Sequence, residues 1–457
     1  MKREQLPAWL MAIAMTTSTA SCCLQTVTGI HDNSQGADAG ADAGIDAGFD
    51  AGIDAGLDSG TVVGPCGPAT DMNATVTYFL PIPGGSGDAG LEVTTMASGD
   101  LNGDGLLDLV AEVFNPEYQT DEAFHGGFAV FFGEPDGGLS APVLYDKPYV
   151  FSGSAMALAD VNGDGRLDLL TGGAPQRGDA QESAVSVFLN DGDGGLLLSG
   201  TYPAMSGGLN QSNFAIEFIA AADLNGDGRV DLVLSQLQRA LLGVVAILWS
   251  NSDGGFDPPV AVEGAASGLL GGIAVGDLNG DHVPDIAALA PDGGIVVLLG
   301  RGDGGFEPQQ VPYATAVSSL FLLPIIGGPP DLIVDPAAGS DAGYVLQVLD
   351  NSQDGSFSVG PSYSGGGEWL AAGDFNGDCI PDVASAGEAG DEYDRSYWVT
   401  VLYGSGSGRL TAPQNLNLSG KAPSGIATLG LVAHPHALAV GDADGAGITV
   451  YGDASSH

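Results

Sequence analysis

Short runs of apolar residues, many alternating with polar ones, recur between residues 72 and 452, each bounded by turns rich in glycine and aspartate. In one unit, the run Ile273–Gly276 enters an acidic loop, a second run leaves it, and a strand-turn-strand follows from Gly294 to Pro308. Such runs predict β-strands. Comparable strand-turn-strand segments occur at Val130–Pro142, Val185–Leu197, Val245–Pro258, Val345–Val359 and Val399–Pro413. We therefore predict an all-β fold with four short strands in each unit.

The acidic loops share a nine-residue pattern, Asp-x-Asn-Gly-Asp-x-x-x-Asp, whose five copies begin at residues 100, 160, 223, 277 and 374. The last spacing, 97 residues, is nearly double the others and predicts a hidden copy. We place its second strand after Asp331, with its loop reduced to Leu323–Pro330. A seventh copy is predicted with Ala437–Val440 as its entering run and Asp442 and Asp444 in its loop. The chain therefore has seven predicted units.

Units that bury their faces only against neighbouring units form either a solenoid or a closed ring. Seven four-stranded units favour a closed seven-bladed β-propeller. The last unit ends at Ile448–Gly452 without its outer strands, while a strand at Thr75–Leu80 precedes the first unit. We predict that this N-terminal strand completes the last blade and closes the ring.

The repeated loop has the chemistry of a calcium site. Oxygen-bearing side chains at positions 1, 3, 5 and 9, with a backbone carbonyl at position 7, can wrap a hard cation in one turn. The alternative is that these residues only cap their own turns. Position 6 normally needs glycine but holds His282 and Cys379 in two loops, which we expect to be strained or weaker. We therefore predict about five calcium sites, one in each intact loop. Their predicted ligands are Asp100, Asn102, Asp104, Asp108; Asp160, Asn162, Asp164, Asp168; Asp223, Asn225, Asp227, Asp231; Asp277, Asn279, Asp281, Asp285; and Asp374, Asn376, Asp378, Asp382.

These loops, at this spacing and with Asp-Gly-Gly hairpins, resemble the FG-GAP/VCBS repeats that also build the integrin α-chain propeller. The resemblance covers roughly residues 72–452. It implies calcium loops that join the first and second strands on one face, and a role in extracellular adhesion or recognition, although some members accompany polysaccharide lyases. Leu323–Asp331 and Asp442–Gly447 depart from the pattern and receive no metal. The layout also implies that Cys66 and Cys379 can meet in a disulfide, with two free thiols as the alternative.

The N-terminus has the form of an export signal. Lys2 and Arg3 precede the apolar run Leu6–Met15, which is too short to span a membrane. Thr19–Cys22 resembles the lipobox of bacterial lipoproteins, so we predict a signal peptide over 1–21 and lipidation at Cys22. Plain secretion with signal cleavage is the alternative. Residues 22–71 then form the anchor and a disordered, low-complexity Asp-Ala-Gly linker.

The charge balance excludes some partners. Asp and Glu outnumber Lys and Arg by 57 to 11, a formal charge of −46. Nucleic acids and anionic lipid surfaces bind clustered cations, so we expect no nucleic-acid partner and no membrane contact beyond the lipid anchor. Hydrophobic residues, at 44%, suffice for a large core. The predicted location is the outer membrane or cell surface, or otherwise the medium.

The sequence contains none of the nucleophile, zinc-protease or dithiol motifs that we sought, so no catalytic residue and no enzyme activity is predicted. Long connections are expected after the second strands of blades one, two and six, at 114–125, 174–182 and 388–398. Aromatic side chains dominate recognition surfaces, and these connections carry five of them, which we predict to form a ligand-binding face: Tyr118, Phe124, Tyr393, Tyr397 and Trp398. The alternative is that the long connections are variation in loop length without a function. We predict recognition or adhesion towards an unidentified glycan or protein. A polysaccharide-acting enzyme or subunit and an envelope scaffold are the alternatives.

Overall fold

A computed structural model of the chain describes residues 75–80, 90–115, 126–135, 138–146, 155–173, 183–204, 214–238, 243–267, 273–289, 294–313, 315, 317–325, 328–336, 345–367, 369–376, 378, 380–391, 394–405, 409–411, 413–416, 422–431, 434–442 and 447–452. Several sequence-based predictions fall outside these residues: the 1–21 signal, the 22–71 anchor and linker with Cys22 and Cys66, and also Cys379, Tyr118, Phe124 and Tyr393.

The described residues form β-strands arranged as seven four-stranded blades in a ring. Blade one comprises β2 (Glu92–Gly99), β3 (Leu106–Phe114), β4 (Gly126–Phe131) and β5 (Val143–Asp146); blade two, β6 (Ala155–Ala159), β7 (Asp168–Gly173), β8 (Ala184–Asn190) and β9 (Leu196–Pro203); blade three, β10 (Phe214–Ala222), β11 (Asp231–Gln238), β12 (Gly243–Leu248) and β13 (Val260–Ser267). Blade four comprises β14 (Ile273–Gly276), β15 (Asp285–Leu289), β16 (Ile295–Gly300) and β17 (Phe306–Val311); blade five, β18 (Val317–Ile325), β19 (Gly328–Pro336), β20 (Val345–Asn351) and β21 (Phe357–Ser364). Blade six comprises β22 (Trp369–Gly373), β23 (Asp382–Asp391), β24 (Asp394–Leu402) and β25 (Gln414–Leu416); blade seven, β26 (Pro423–Leu431), β27 (His434–Asp442), β28 (Gly447–Tyr451) and β1 (Thr75–Phe79).

The ring is closed by the N-terminal strand, as predicted. β1 pairs antiparallel with β28, from Thr75 opposite Tyr451 to Phe79 opposite Gly447. The last blade therefore takes three strands from the C-terminal end of the propeller and its outermost strand from the N-terminal end. Two further residue pairs join β26 to β3, which links blade seven to blade one.

Burial decreases from the inside of each blade to its outer edge. Every residue of β4 and of β15 is buried, because the middle strands of a blade pack between two neighbouring blades. Leu170 and Val187 of blade two share one apolar cluster with Ile216 of blade three. In the outermost strand β9, only Leu196 is buried, and the other residues are exposed or half-buried. This gradient explains why the second and third strands are almost continuously apolar while the fourth are mixed.

Blade five confirms the hidden copy but lacks a loop. β18 and β19 pair from Val317 opposite Pro336 to Ile325 opposite Gly328, so most of the predicted remnant loop Leu323–Pro330 is strand. Asp331 is buried within β19. The two strands stay paired as far as Ile325 and Gly328 because this unit has no acidic loop between them.

The predicted position of the seventh loop, between the first and second strands of its blade, was wrong. Ala437–Val440 was expected to be the first strand of its blade, but it lies in β27, the second strand. The first strand is β26, which packs against β2 and β22 in the inner ring. The connection after Asp442 therefore lies between the second and third strands. An apolar run followed by Asp-x-Asp-Gly has the same local pattern at either place, and only the ring of contacts distinguishes them.

The predicted long loop of blade six was also wrong. β23 and β24 stay paired from Val383 opposite Leu402 to Asp391 opposite Asp394, so residues 388–398 form an extended hairpin. Tyr397 and Trp398 therefore lie in a strand. The Trp398 Nε1–H donates to the Gly366 carbonyl at 2.8 Å. Across the described strands and loops, we find no helix with the length and apolar character needed to cross a bilayer.

Candidate metal-binding loops

Each of the five acidic loops joins the first strand of its blade to the second. They connect β2 to β3, β6 to β7, β10 to β11, β14 to β15 and β22 to β23. The innermost strands of neighbouring blades pack side by side in the same order around the ring. The five loops therefore lie on one face of the propeller, as the resemblance implied.

The start of each loop is held by the aspartate at position 1. In blade one, the N–H groups of Gly103 and Asp104 donate to Asp100 Oδ1 at 2.7 and 3.1 Å, and that of Gly105 donates to Asp100 Oδ2 at 2.9 Å. The Asp104 N–H also reaches Asn102 Oδ1 at 2.9 Å. The same bonds recur in the loops of blades two, three and four. In blade six, the Asp378 N–H makes the bonds to Asp374 and Asn376.

Position 6 confirms the expected backbone constraint. Gly105 has a φ of 85°, in the left-handed region that favours glycine. His282 occupies the same position in blade four with a φ of 66°. A non-glycine residue in this region is strained. Cys379, the other exception, lies outside the described residues.

The aspartate at position 9 faces inward. Asp108 is 0% exposed and accepts the Leu101 N–H at 2.8 Å on Oδ2 and the Gly133 N–H at 2.8 Å on Oδ1. Gly133 follows the third strand, so the carboxylate cross-links the loop to the middle of its blade. Each other closing aspartate makes the equivalent pair of bonds. Burial raises the pKa of Asp108 and Asp285 to about 6 and that of Asp382 to about 7.

The donor set of these loops fits a hard divalent cation. Positions 1, 3 and 5 carry two carboxylates and an amide oxygen in one turn, and position 9 adds a third carboxylate. A carboxylate offers about four acceptor sites, so the N–H bonds above leave some free for a metal. Within the described residues, however, no three acidic, histidine or cysteine side chains converge closely enough to hold a metal. Metal binding would therefore have to draw the outer ligands and the closing aspartate together.

In two loops, an arginine side chain already forms an ion pair with a predicted metal ligand. The Arg166 Nη2 lies 2.5 Å from Asp164 Oδ2, and the Arg229 Nη2 lies 2.6 Å from Asp227 Oδ2. Both arginines occupy position 7, and both pair with position 5 of their own loop. Position 5 of these two loops is therefore already paired with a positive charge, which a metal ion would have to displace or share.

We expect the metal-free protein to lose stability as the pH rises from about 4 to about 7. The pKa of Asp382 is about 7 in the folded chain against 3.8 in the ordinary case, so the folded state binds the proton more tightly. Its stabilising contribution is therefore complete at low pH and is lost as the pH passes the folded pKa. Thermal melts in EGTA at pH 5 and pH 8 measure this. Asp382→Asn, which cannot titrate, should reduce the difference, and an equal or higher melting temperature at pH 8 would contradict the expectation.

Comparison with known proteins agrees with the repeat pattern. The FG-GAP-like repeat family matches residues 160–234, which run from the first residue of one acidic loop to just beyond the next. Integrin alpha pat-2 of Caenorhabditis briggsae is 28% identical over 247 residues, 47% of this chain and 19% of that protein. Integrin alpha-3 of Cricetulus griseus is 33% identical over 162 residues, 33% of this chain and 15% of that protein.

The aligned region thus spans a fifth or less of the length of these curated relatives. Among solved structures, that of Chaetomium thermophilum Raptor aligns with 85% of this chain and 29% of its own, at 14% identity and a TM-score of 0.49. The fold assignment rests on the strand pairing described above. The family match thus shows an FG-GAP-like repeat over residues 160–234, and the strand pairing shows a seven-bladed β-propeller fold.

Proposed function

We propose that this chain is an exported calcium-binding propeller that acts in recognition or adhesion at the cell surface. The observation that carries the proposal is the set of five acidic loops on one face of the ring, four of which show the same full set of hydrogen bonds to position 1. A loop that served only as a turn would not require three carboxylates, and each of these loops has three. Their mutual repulsion raises the pKa of the closing aspartates further, as at Asp108, and a divalent cation would relieve it.

The recognition part of the proposal is supported by the relatives. Integrin alpha chains are adhesion receptors without enzymatic activity, and the matches to them cover 47% and 33% of this chain. The carboxyl groups with raised pKa values within the described residues are mostly the closing aspartates, and their oxygens are engaged by backbone N–H groups. That arrangement supports structure rather than proton transfer to a substrate.

Export and surface attachment rest on the N-terminal sequence. The basic start, the short apolar run and the Thr19–Cys22 segment support cleavage and lipidation at Cys22. The glycine- and aspartate-rich linker would then hold the propeller away from the membrane. Tyr397 and Trp398, the described members of the candidate ligand face, lie in β24 of the blade-six hairpin, and this aromatic pair supports recognition of a ligand.

Binding of the purified chain, residues 61–457, to an array of glycans in calcium and in EGTA tests this proposal, with product analysis of every hit. We expect calcium-dependent binding without turnover. A released sugar product would instead identify the chain as a polysaccharide-acting enzyme or subunit. If no glycan binds, crosslinking on intact cells separates a protein-directed adhesin from an envelope scaffold, because a scaffold would be recovered with envelope proteins of its own cell.

A further inference from the structure

In blades one to six, the closing aspartate, or Asp331 in blade five, is bonded to a backbone N–H at or just after the end of the third strand. In most blades that residue is glycine or serine, with no side chain long enough to reach further. In blades two and five it is an asparagine. The donors are Gly133, Asn190, Ser250, Gly300, Asn351 and Gly404.

Asn190 connects the loop of its own blade to the loop of the blade before. Its Nδ2 donates to the Leu101 carbonyl at 2.7 Å and to the Leu167 carbonyl at 3.0 Å. Leu101 is position 2 of the loop in blade one, and its own N–H is bonded to Asp108. Asn190 is 2% exposed, and its Oδ1 accepts the Gly192 N–H at 2.9 Å.

A continuous path of hydrogen bonds therefore joins the two closing aspartates. The Leu101 N–H donates to Asp108 at 2.8 Å, the Leu101 carbonyl accepts from Asn190, and the Asn190 N–H donates to Asp168 at 2.9 Å. A second path runs through Arg166, whose Nε donates to the Asn190 carbonyl at 3.1 Å and whose Nη2 lies on Asp164. Both paths end on predicted metal ligands of the second loop.

We infer that Asn190 couples the metal-binding loops of blades one and two, so that an ion in either loop raises the affinity of the other. This inference rests on the proposed calcium binding. An ion in the first loop would order the peptide that follows Asp100, which carries the carbonyl bonded to Asn190. Ordering Asn190 in turn orders the N–H held by Asp168. The second ion then binds a loop whose ordering cost has already been met in part.

Asn351 provides a matched control in the same chain. Its Nδ2 donates to the Leu278 carbonyl at 2.8 Å and to the Pro330 carbonyl at 2.9 Å, and its N–H donates to Asp331 at 2.7 Å. The bridge thus has the same form and reaches the loop of blade four. Blade five has a hairpin in place of an acidic loop, so this bridge has only one metal loop to act on.

The coupling is measured on the full chain by calcium-dependent protection from hydrogen exchange in peptides covering 100–108 and 160–168. Asp104→Ala removes an outer ligand of the first loop at an exposed position. We expect it to raise the calcium midpoint of the second loop about fivefold, at the lower end of typical coupling between sites. With Asn190→Ser, which introduces the residue type that blade three has at this position, Asp104→Ala should leave that midpoint unchanged. Asn351→Ser should preserve the fivefold effect.

The outcomes separate this inference from the proposed function. If Asp104→Ala shifts the midpoint of the second loop equally with and without Asn190→Ser, or shifts it in neither, the coupling through Asn190 is wrong although calcium binds. If calcium protects neither peptide in the unaltered chain, the proposed calcium binding itself is wrong. Melts of all variants in EGTA verify that each is folded. Asn190→Gly, which introduces the residue type found at this position in blade one, serves as a second variant if Asn190→Ser does not fold.

Discussion

A chain that begins at residue 81 is expected to lose at least about 5 kcal/mol of unfolding free energy, or to fail to fold, relative to one that begins at residue 74. Without β1, blade seven keeps only three strands, and β28 loses its outer partner and becomes the edge strand. The shorter chain also loses Leu80, which is 0% exposed, and Tyr78, whose Oη accepts the Leu139 N–H at 2.7 Å. A buried leucine contributes about 1.5–3 kcal/mol and each lost hydrogen bond about 1 kcal/mol.

Thermal and denaturant unfolding of the two chains in calcium measure this effect. The chain from residue 74 is the matched control, because it lacks the signal and linker but keeps β1. We expect it to melt as one cooperative unit. A chain from residue 81 that melts within about 2 °C of the control would show that blade seven does not depend on the N-terminal strand.

Asp285→Ala should destabilise the metal-free protein by about 2–5 kcal/mol. Asp285 is 0% exposed, and it accepts the Gly300 N–H at 2.7 Å and the Leu278 N–H at 2.8 Å. Alanine leaves both buried donors without an acceptor, at a cost of about 1–3 kcal/mol each. The closing aspartate is thus expected to be needed for the fold before any metal binds.

Asp281→Ala in the same loop is the control for this prediction. Asp281 is exposed and accepts only the Val283 N–H and the Asn279 amide, at 2.8 and 2.9 Å, so water can replace it. In EGTA we expect it to cost less than about 1 kcal/mol. In calcium both variants should lose the stabilisation that the blade-four ion provides. Equal losses for the two variants in EGTA would mean that the closing aspartate acts only as a metal ligand.

The architecture could be predicted because it repeats. The nine-residue loop fixes the boundary between the first and second strands, and its recurrence predicts the number of blades even where blade five has lost the loop. The strand at Thr75–Phe79 could be assigned to the last blade because a ring must be closed. Which strand of blade seven contains Ala437–Val440 could not be predicted. The local pattern there fits either the first or the second strand, and blade seven lacks the complete motif.

The candidate site was predicted in composition but not in detail. Spacing predicted Asp108 and its equivalents as metal ligands, yet it could not show that they cross-link the loop to the third strand. The partner of that bond, such as Gly133, lies beyond the second strand. Asn190 was missed because the carbonyl that it reaches is 89 residues away in sequence. An asparagine at the end of a third strand, directly before an Asp-Gly turn, is the one signal that could have directed attention to it.

The most direct test of the central claim is calcium binding to the EGTA-treated chain. Isothermal titration measures the number of ions bound, and thermal melts of the same samples measure their effect on stability. Five intact loops predict about five ions per chain and a rise in melting temperature, since an ion held at a hundred times its dissociation constant adds about 2.7 kcal/mol. Magnesium at the same concentration should give a smaller rise. An absence of saturable calcium binding, with a melting temperature that EGTA leaves unchanged, would contradict the account and leave the acidic loops as turns alone.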